Sequence, residues 1–188
     1  MVRISSLLTV IGFEEFFQTN FLSMFLLADL MLDTLTRCKA RVLTVASSLH
    51  KLAPKIKEFN LDDLRSDMKH TKYKVWDLYA HSKLCCIMFA HELQRRFEGT
   101  EALSFSVDPG YVQRCVDGVG QESTSMLSAL IKPVEKIFAK KPQDGALTVL
   151  YCAIMPRDLL VPGGHYIDHN GKTIPCSRLK KVATDKAL

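Results

Sequence analysis

The run ARVLTVASS, residues 40–48, constrains the fold more than any other stretch of this chain. It is β-branched, almost continuously apolar, and closed by two serines. Such a strand is buried on both faces, which is the pattern of a parallel sheet. Parallel neighbours need a crossover between them, usually helical. The chain offers one: residues 76–97 place Leu78, Cys85, Met88, Phe89 and Leu93 inward on a second long helix, and ALSFSVD (102–108), closed by Pro109-Gly110, is the next strand. Upstream, 12–37 reads as one long helix. Phe13, Phe17, Phe21, Met24, Leu27 and Met31 recur at three- and four-residue steps, and apolar residues on most other sides suit a helix sandwiched between layers. Downstream, helices are expected near 126–139 and 144–155, then a short strand in GGHYID (163–168) and a polar tail at 172–188. Strand, helix, strand, helix, strand is an α/β layer architecture.

At 188 residues the chain fits one domain, and 47% hydrophobic with 24% charged residues is a globular composition. The net charge of +5 is spread along the chain, and its basic runs, KHTKYK and AKKP, carry no stacking aromatics, so no nucleic-acid partner is expected. Of six cysteines without a C-x-x-C, the adjacent pair at 85 and 86 reads as small buried hydrophobes, and the spacing suits a reducing compartment. His165, His169 and Cys176 lack a second ligand pair, so no metal is expected, and His50 and His81 read as ordinary polar neighbours. The start, MVRISSLLTVIGF, lacks a small-x-small cleavage site, and the apolar stretch after it is about 13 residues, short of the ~20 a membrane helix needs.

In open parallel sheets the working residues lie beyond the carboxyl ends of the strands. Ser47 and Ser48 end the first strand, Pro109 and Gly110 end the second, and the helix at 76–97 opens nearby with DLYAHSKLCC (77–86). Tyr79 and Lys83 stand one turn apart on one face of that helix. In a chain of this make-up a Tyr-x-x-x-Lys arises by chance about 0.4 times, so a surface pair is the plain alternative. The chemistry of the pair is nevertheless specific. A phenol titrates near 10, and bringing it to about 7 takes roughly 4 kcal/mol, which a neighbouring ammonium can supply by stabilising the phenolate. A serine aimed at the same point holds a carbonyl or alcohol. Together they are suited to proton transfer at a C–O group coupled to hydride transfer.

TNFLSMFLL, RVLTVASSLH, FNLDDL, YAHSKL, DPGYV and KPQDGA, in this order and spacing, resemble the short-chain dehydrogenases/reductases, in the retinol-dehydrogenase-like and WW-domain-oxidoreductase-like branch. The resemblance runs from about residue 12 to 171. It implies an α/β fold: a truncated Rossmann-type doubly wound parallel sheet of about three strands with flanking helices. It implies that Tyr79 is the catalytic acid–base, that Lys83 lowers its pKa and binds the nicotinamide ribose, that Ser48 positions the substrate oxygen, and that Asn20 holds a water linking the lysine to solvent. Pro109, Gly110 and Val112 would line the nicotinamide end of the cofactor, NADP or NAD. The substrate would be a small hydrophobic alcohol or carbonyl of retinoid or steroid type. Two departures stand out: Arg114 where members often carry a threonine that bonds the carboxamide, and Ser23-Met24 in place of Gly-His.

The glycine-rich phosphate loop of that family has no counterpart here. The nearest stretch, GVGQES (118–123), ends in Ser123 and follows the second strand rather than opening a first helix. The organisation expected is an atypical segment 1–11, the carboxyl-terminal part of an oxidoreductase domain at 12–171, and the tail. On this reading the chain is a truncated gene model, a splice product or another piece of an oxidoreductase, inactive by itself. Its strand at 40–47 would be an apolar sheet edge open to pairing. The alternative function is then an inactive isoform that acts by protein pairing, with helix 12–37 as a possible homo-oligomer interface. A cytoplasmic location, or one at the cytosolic face of an intracellular membrane, goes with either reading.

Overall fold

The computed structural model describes residues 9–53, 75–112, 139–160 and 163–174. Four strands form one sheet in the order β1 (Arg41–Val45), β2 (Leu103–Val107), β3 (Tyr166–Ile167), β4 (Thr173–Ile174). β1 and β2 run parallel from Arg41 beside Leu103 to Val45 beside Val107, and β3 continues the parallel order beside Ser106 and Val107. The expected parallel strands are therefore present, although the third is only two residues long. β4 was not expected. It pairs antiparallel with β3 around a turn at Asp168–Lys172, in residues whose polarity suggested a tail.

Alternation along β2 decides which layer each residue meets. Phe105 and Val107 point to one face and pack with Leu43, Ile167 and Cys152 of the helix Pro142–Ile154. Ser104 and Ser106 point to the other face, where their small side chains let the 22-residue helix Val75–Arg96 lie close. That helix buries Leu78, Leu84, Ile87, Phe89 and Leu93, and Asp77 in its first turn and Arg95 and Arg96 in its last suit its dipole. Fully buried Phe97 and Phe105 each contribute roughly 1.5–3 kcal/mol by leaving water. β2 is thus covered on both faces, whereas β1, at the sheet edge, is mostly half-buried with Val45 42% exposed, so the expectation of a first strand buried on both faces is not met. The helix predicted near 126–139 lies outside the described residues.

The expected single helix over 12–37 is instead three α-helical pieces, the first two of them joined by a π turn. In chain order these are α1 (Glu15–Phe17), the π turn Gln18–Leu22, α2 (Ser23–Leu30) and α3 (Leu32–Arg37), the last offset at Met31, where φ is −101° and ψ 2°. The side chain of Glu14 starts it by accepting from the Phe16 and Phe17 amides at 2.9 and 2.7 Å. The Ser23 hydroxyl bonds back to the Thr19 carbonyl at 2.8 Å, a contact that competes with regular helix. The piece is also not sandwiched between layers. Phe21 and Ala28 pack on Phe89, Leu93 and Phe97, while Leu26 and Leu30 are 55% and 76% exposed. Val75–Arg96 is α4 and Pro142–Ile154 is α5.

Candidate active site

The carboxyl ends of β1 and β2 lie side by side because their registers end together at Val45 and Val107. Beyond β1 the chain tightens into a 3₁₀ turn, Ser48–Leu52, started by the Ser47 hydroxyl, which accepts from the Leu49 amide at 3.3 Å. Ser48 itself is exposed at the mouth of this turn. Beyond β2 come Pro109 and Gly110. Gly110 has φ +80°, and a Cβ there would lie 2.9 Å from His169, so this tight turn is reserved for glycine.

α4 brings the Tyr79–Lys83 pair to this edge. Lys83 Nζ sits 5.7 Å from the centre of the Tyr79 ring and donates to the Val45 carbonyl at 3.0 Å. The Ala46 amide donates to Val107 and the Ala40 carbonyl accepts from Leu103, so alternate residues of β1 face β2. The Val45 carbonyl therefore points to the opposite side, and Lys83 occupies it. Phe16 and Trp76 meet the Tyr79 ring edge-on, with centroids 5.6 and 6.4 Å away. Trp76 is 64% exposed, and Tyr111, just after the Gly110 turn, is 54% exposed.

Asn20 lies in the π turn, a feature often found at functional sites. Its side-chain amide donates to the Ser82 hydroxyl at 3.0 Å, and Ser82 in turn donates to the Tyr79 carbonyl at 2.8 Å. Its backbone carbonyl accepts from the Cys86 thiol at 3.2 Å. Asn20 is thereby tied to the turn of α4 that carries Tyr79 and Lys83. Val112 is placed differently from the other turn residues. It forms a bridge with Lys140 and packs against Gly145, where a Cβ would come within 2.4 Å of its methyl carbon. Arg114 and the 118–123 loop lie outside the described residues.

Ionisation limits which other groups can take part. Burial pushes the Cys85 thiol up to about 12, with the neighbouring Cys86 adding to it, and pushes Cys86 to about 11 against the pull of Lys83. Neither is a nucleophile near neutral pH. His81 is buried and lowered to about 4 by desolvation, and His50 is buried edge-on to Tyr166, so both belong to the interior and are not ordinary polar neighbours. Two residues of the site were missed in the sequence. Asp108, buried before Pro109, accepts from the Ser48 amide, the Gly110 amide and the Tyr166 hydroxyl. Tyr166 is raised well above the ordinary phenol range by burial and then by the Asp108 charge. The DPG string carries the local half of the signal, since an aspartate two residues before an amide makes an Asx turn.

No family model matches the chain. Human polyprenol dehydrogenase is 37% identical over 169 residues, covering 86% of this chain and 48% of that protein. The human WW domain-containing oxidoreductase is 33% identical over 96% of this chain and 43% of its own length, and human retinol dehydrogenase 14 is 34% identical over 84% and 45%. This chain belongs to the short-chain dehydrogenase/reductase family. It spans about half the length of the curated relatives it matches. A solved but uncharacterized protein of Mycobacterium paratuberculosis shares the fold at a TM-score of 0.59 and 29% identity, over 93% of this chain and 55% of that one. An NADPH-bound carbonyl reductase from chicken fatty liver matches at 0.52 and 13% identity, over 93% and 62%, a likeness of fold alone. Among the described residues no helix is long and apolar enough to cross a membrane.

Proposed function

We propose that this chain is the catalytic part of an NAD(P)-dependent oxidoreductase that interconverts an alcohol and a carbonyl on a hydrophobic substrate. The observation that carries the proposal is the placement of Lys83 beside the Tyr79 ring and on the last carbonyl of β1, at the strand ends that also carry Ser48 and Gly110. Tyr79 gives or takes the proton at the substrate oxygen, Lys83 keeps its phenol acidic, and the Ser48 hydroxyl orients that oxygen. Asn20 holds this turn of α4 in place and binds the water that leads from Lys83 to solvent.

The residues present fit the nicotinamide-ribose end of a dinucleotide. An ammonium has three donors, and the Val45 bond uses one of them, which leaves donors on Lys83 for a ribose hydroxyl. Pro109 and Gly110 would form the turn beside the ring, and Val112, expected there too, would instead anchor that turn to α5 through Gly145. When bound, the cofactor, NADP by preference over NAD, supplies the hydride. Residues 1–188 contain no G-x-G-x-x-G, so no phosphate loop of that pattern is available among them for the pyrophosphate. The exposed aromatics Trp76 and Tyr111, beyond the strand ends, support a polyprenol- or retinol-like substrate, as the names of the relatives suggest. Action in the cytoplasm, or at the cytosolic face of an intracellular membrane, suits such a substrate.

A second reading has one observation in its favour. Leu26, Leu27 and Leu30 of α2 are exposed together, which supports an inactive isoform or a homo-oligomer pairing through this helix. Two measurements separate the readings. Residues 1–188 alone, titrated with NADPH by fluorescence, should bind weakly. The few bonds available contribute about 0.5–1.5 kcal/mol each, against an association cost of at least about 4 kcal/mol. Joined behind the glycine-rich half of a retinol dehydrogenase, the same residues should oxidise retinol or a polyprenol with NADP. A folded, NADP-binding fusion without turnover would favour the pairing role.

A further inference from the structure

We propose that Asp108 is a positioning residue: one carboxylate holds the Ser48 turn and the Gly110 turn in fixed relation. The claim rests on the reading above for what the two turns do, while its geometry is independent of that reading. Asp108 is 1% exposed, and a carboxylate can only accept hydrogen bonds. Its Oδ1 takes the Gly110 amide at 2.9 Å. Its Oδ2 takes two partners from distant parts of the chain, the Ser48 amide at 3.0 Å and the Tyr166 hydroxyl at 2.8 Å. Three segments, the 3₁₀ turn after β1, the turn after β2 and β3, therefore share one acceptor carboxylate. His169 Nδ1, at 3.9 Å from Oδ2, lies beyond hydrogen-bond reach.

The arrangement discriminates sharply between aspartate and its isostere. An asparagine in this place would have one acceptor oxygen and an NH₂ group with two donors. The Tyr166 hydroxyl could rotate to accept from that group, but a backbone N–H cannot reverse. Whichever way the amide is turned, either Ser48 or Gly110 would face a donor, and the two turns would no longer be held by the same group. Under the proposed function this separates the residue that orients the substrate oxygen from the turn beside the nicotinamide.

The test is amide hydrogen exchange by NMR on residues 1–188. In Asp108→Asn the Ser48 or the Gly110 amide should exchange at least roughly tenfold faster, the equivalent of about 1.4 kcal/mol, while the Phe105 amide in the core stays within about twofold. Both turn amides keeping wild-type rates would overturn the proposal. If Asp108→Asn does not fold, Tyr166→Phe decides. It removes one of the two donors on Oδ2 and leaves Oδ1 alone, so the Ser48 amide proton should shift more than that of Gly110, and an unmoved Ser48 resonance contradicts the claim. In the retinol dehydrogenase fusion, Asp108→Asn should lower kcat at least about tenfold per folded molecule, with KM within about threefold. Lack of turnover in the wild-type fusion would count against the proposed function and leave the exchange result to decide the role of Asp108.

Discussion

Lys83 Nζ donates to the carbonyl oxygen of Val45 at 3.0 Å, so the helix that carries Tyr79 is fastened to the last residue of the first strand. This carbonyl faces away from β2, on the side of β1 that pairs with no other described strand. One ammonium thus serves both a strand edge and a phenol ring.

Replacing it separates the two roles. Lys83→Met removes one partly exposed hydrogen bond, and stability measured by urea unfolding should fall by no more than about 1 kcal/mol. In the fusion, turnover should fall about 10²-fold or more, the usual size of an acid–base contribution. A large stability loss with unchanged turnover would make the residue structural.

Gly145 sets how closely the turn after β2 sits on α5. A methyl group at this position would stand 2.4 Å from a methyl of Val112. Gly145→Ala should cost about 1–3 kcal/mol, the range for overpacking, despite alanine's better helix propensity. A urea midpoint that rises with this substitution would show that Val112 is free to move aside.

The buried His81 predicts how stability responds to acid. Its folded pKa, about 4, lies below the ordinary value of 6.5, so the unfolded chain binds the extra proton first. Its contribution is complete above pH 6.5 and is lost as pH falls toward 4, up to about 3 kcal/mol. Glu14, raised chiefly by burial, acts in the opposite sense, adding stability at low pH that is lost as pH rises. Urea unfolding of wild type and His81→Phe from about pH 7 to about pH 4.5 isolates the histidine. The variant should lose less stability over that interval, and parallel curves would contradict the assignment.

What was legible in the sequence was local or periodic. The continuous apolar run at 40–48 marked β1, and helical spacing marked α4 with Tyr79 and Lys83 at its start. Periodicity over 12–37 could not show the π turn at Asn20, since the four-residue steps Phe13, Phe17 and Phe21 across it also fit a regular α-helix. The β3–β4 hairpin left a signal in Asn170-Gly171, a favoured turn pair, which the surrounding polarity obscured. Two of the partners of Asp108, Ser48 and Tyr166, lie 60 and 58 residues away, and nothing in DPG announces them. The carboxylate that joins the two turns becomes visible only in three dimensions.

The pairing of Tyr79 with Lys83 as the acid–base device is the central claim, and the rate of the Tyr79→Phe fusion tests it most directly. Phenylalanine keeps the ring against Phe16 and Trp76 and removes only the hydroxyl. NADP-dependent oxidation of retinol should fall at least about 10²-fold, with cofactor affinity within about threefold. A folded, NADP-binding Tyr79→Phe protein that oxidises retinol at the wild-type rate would contradict it.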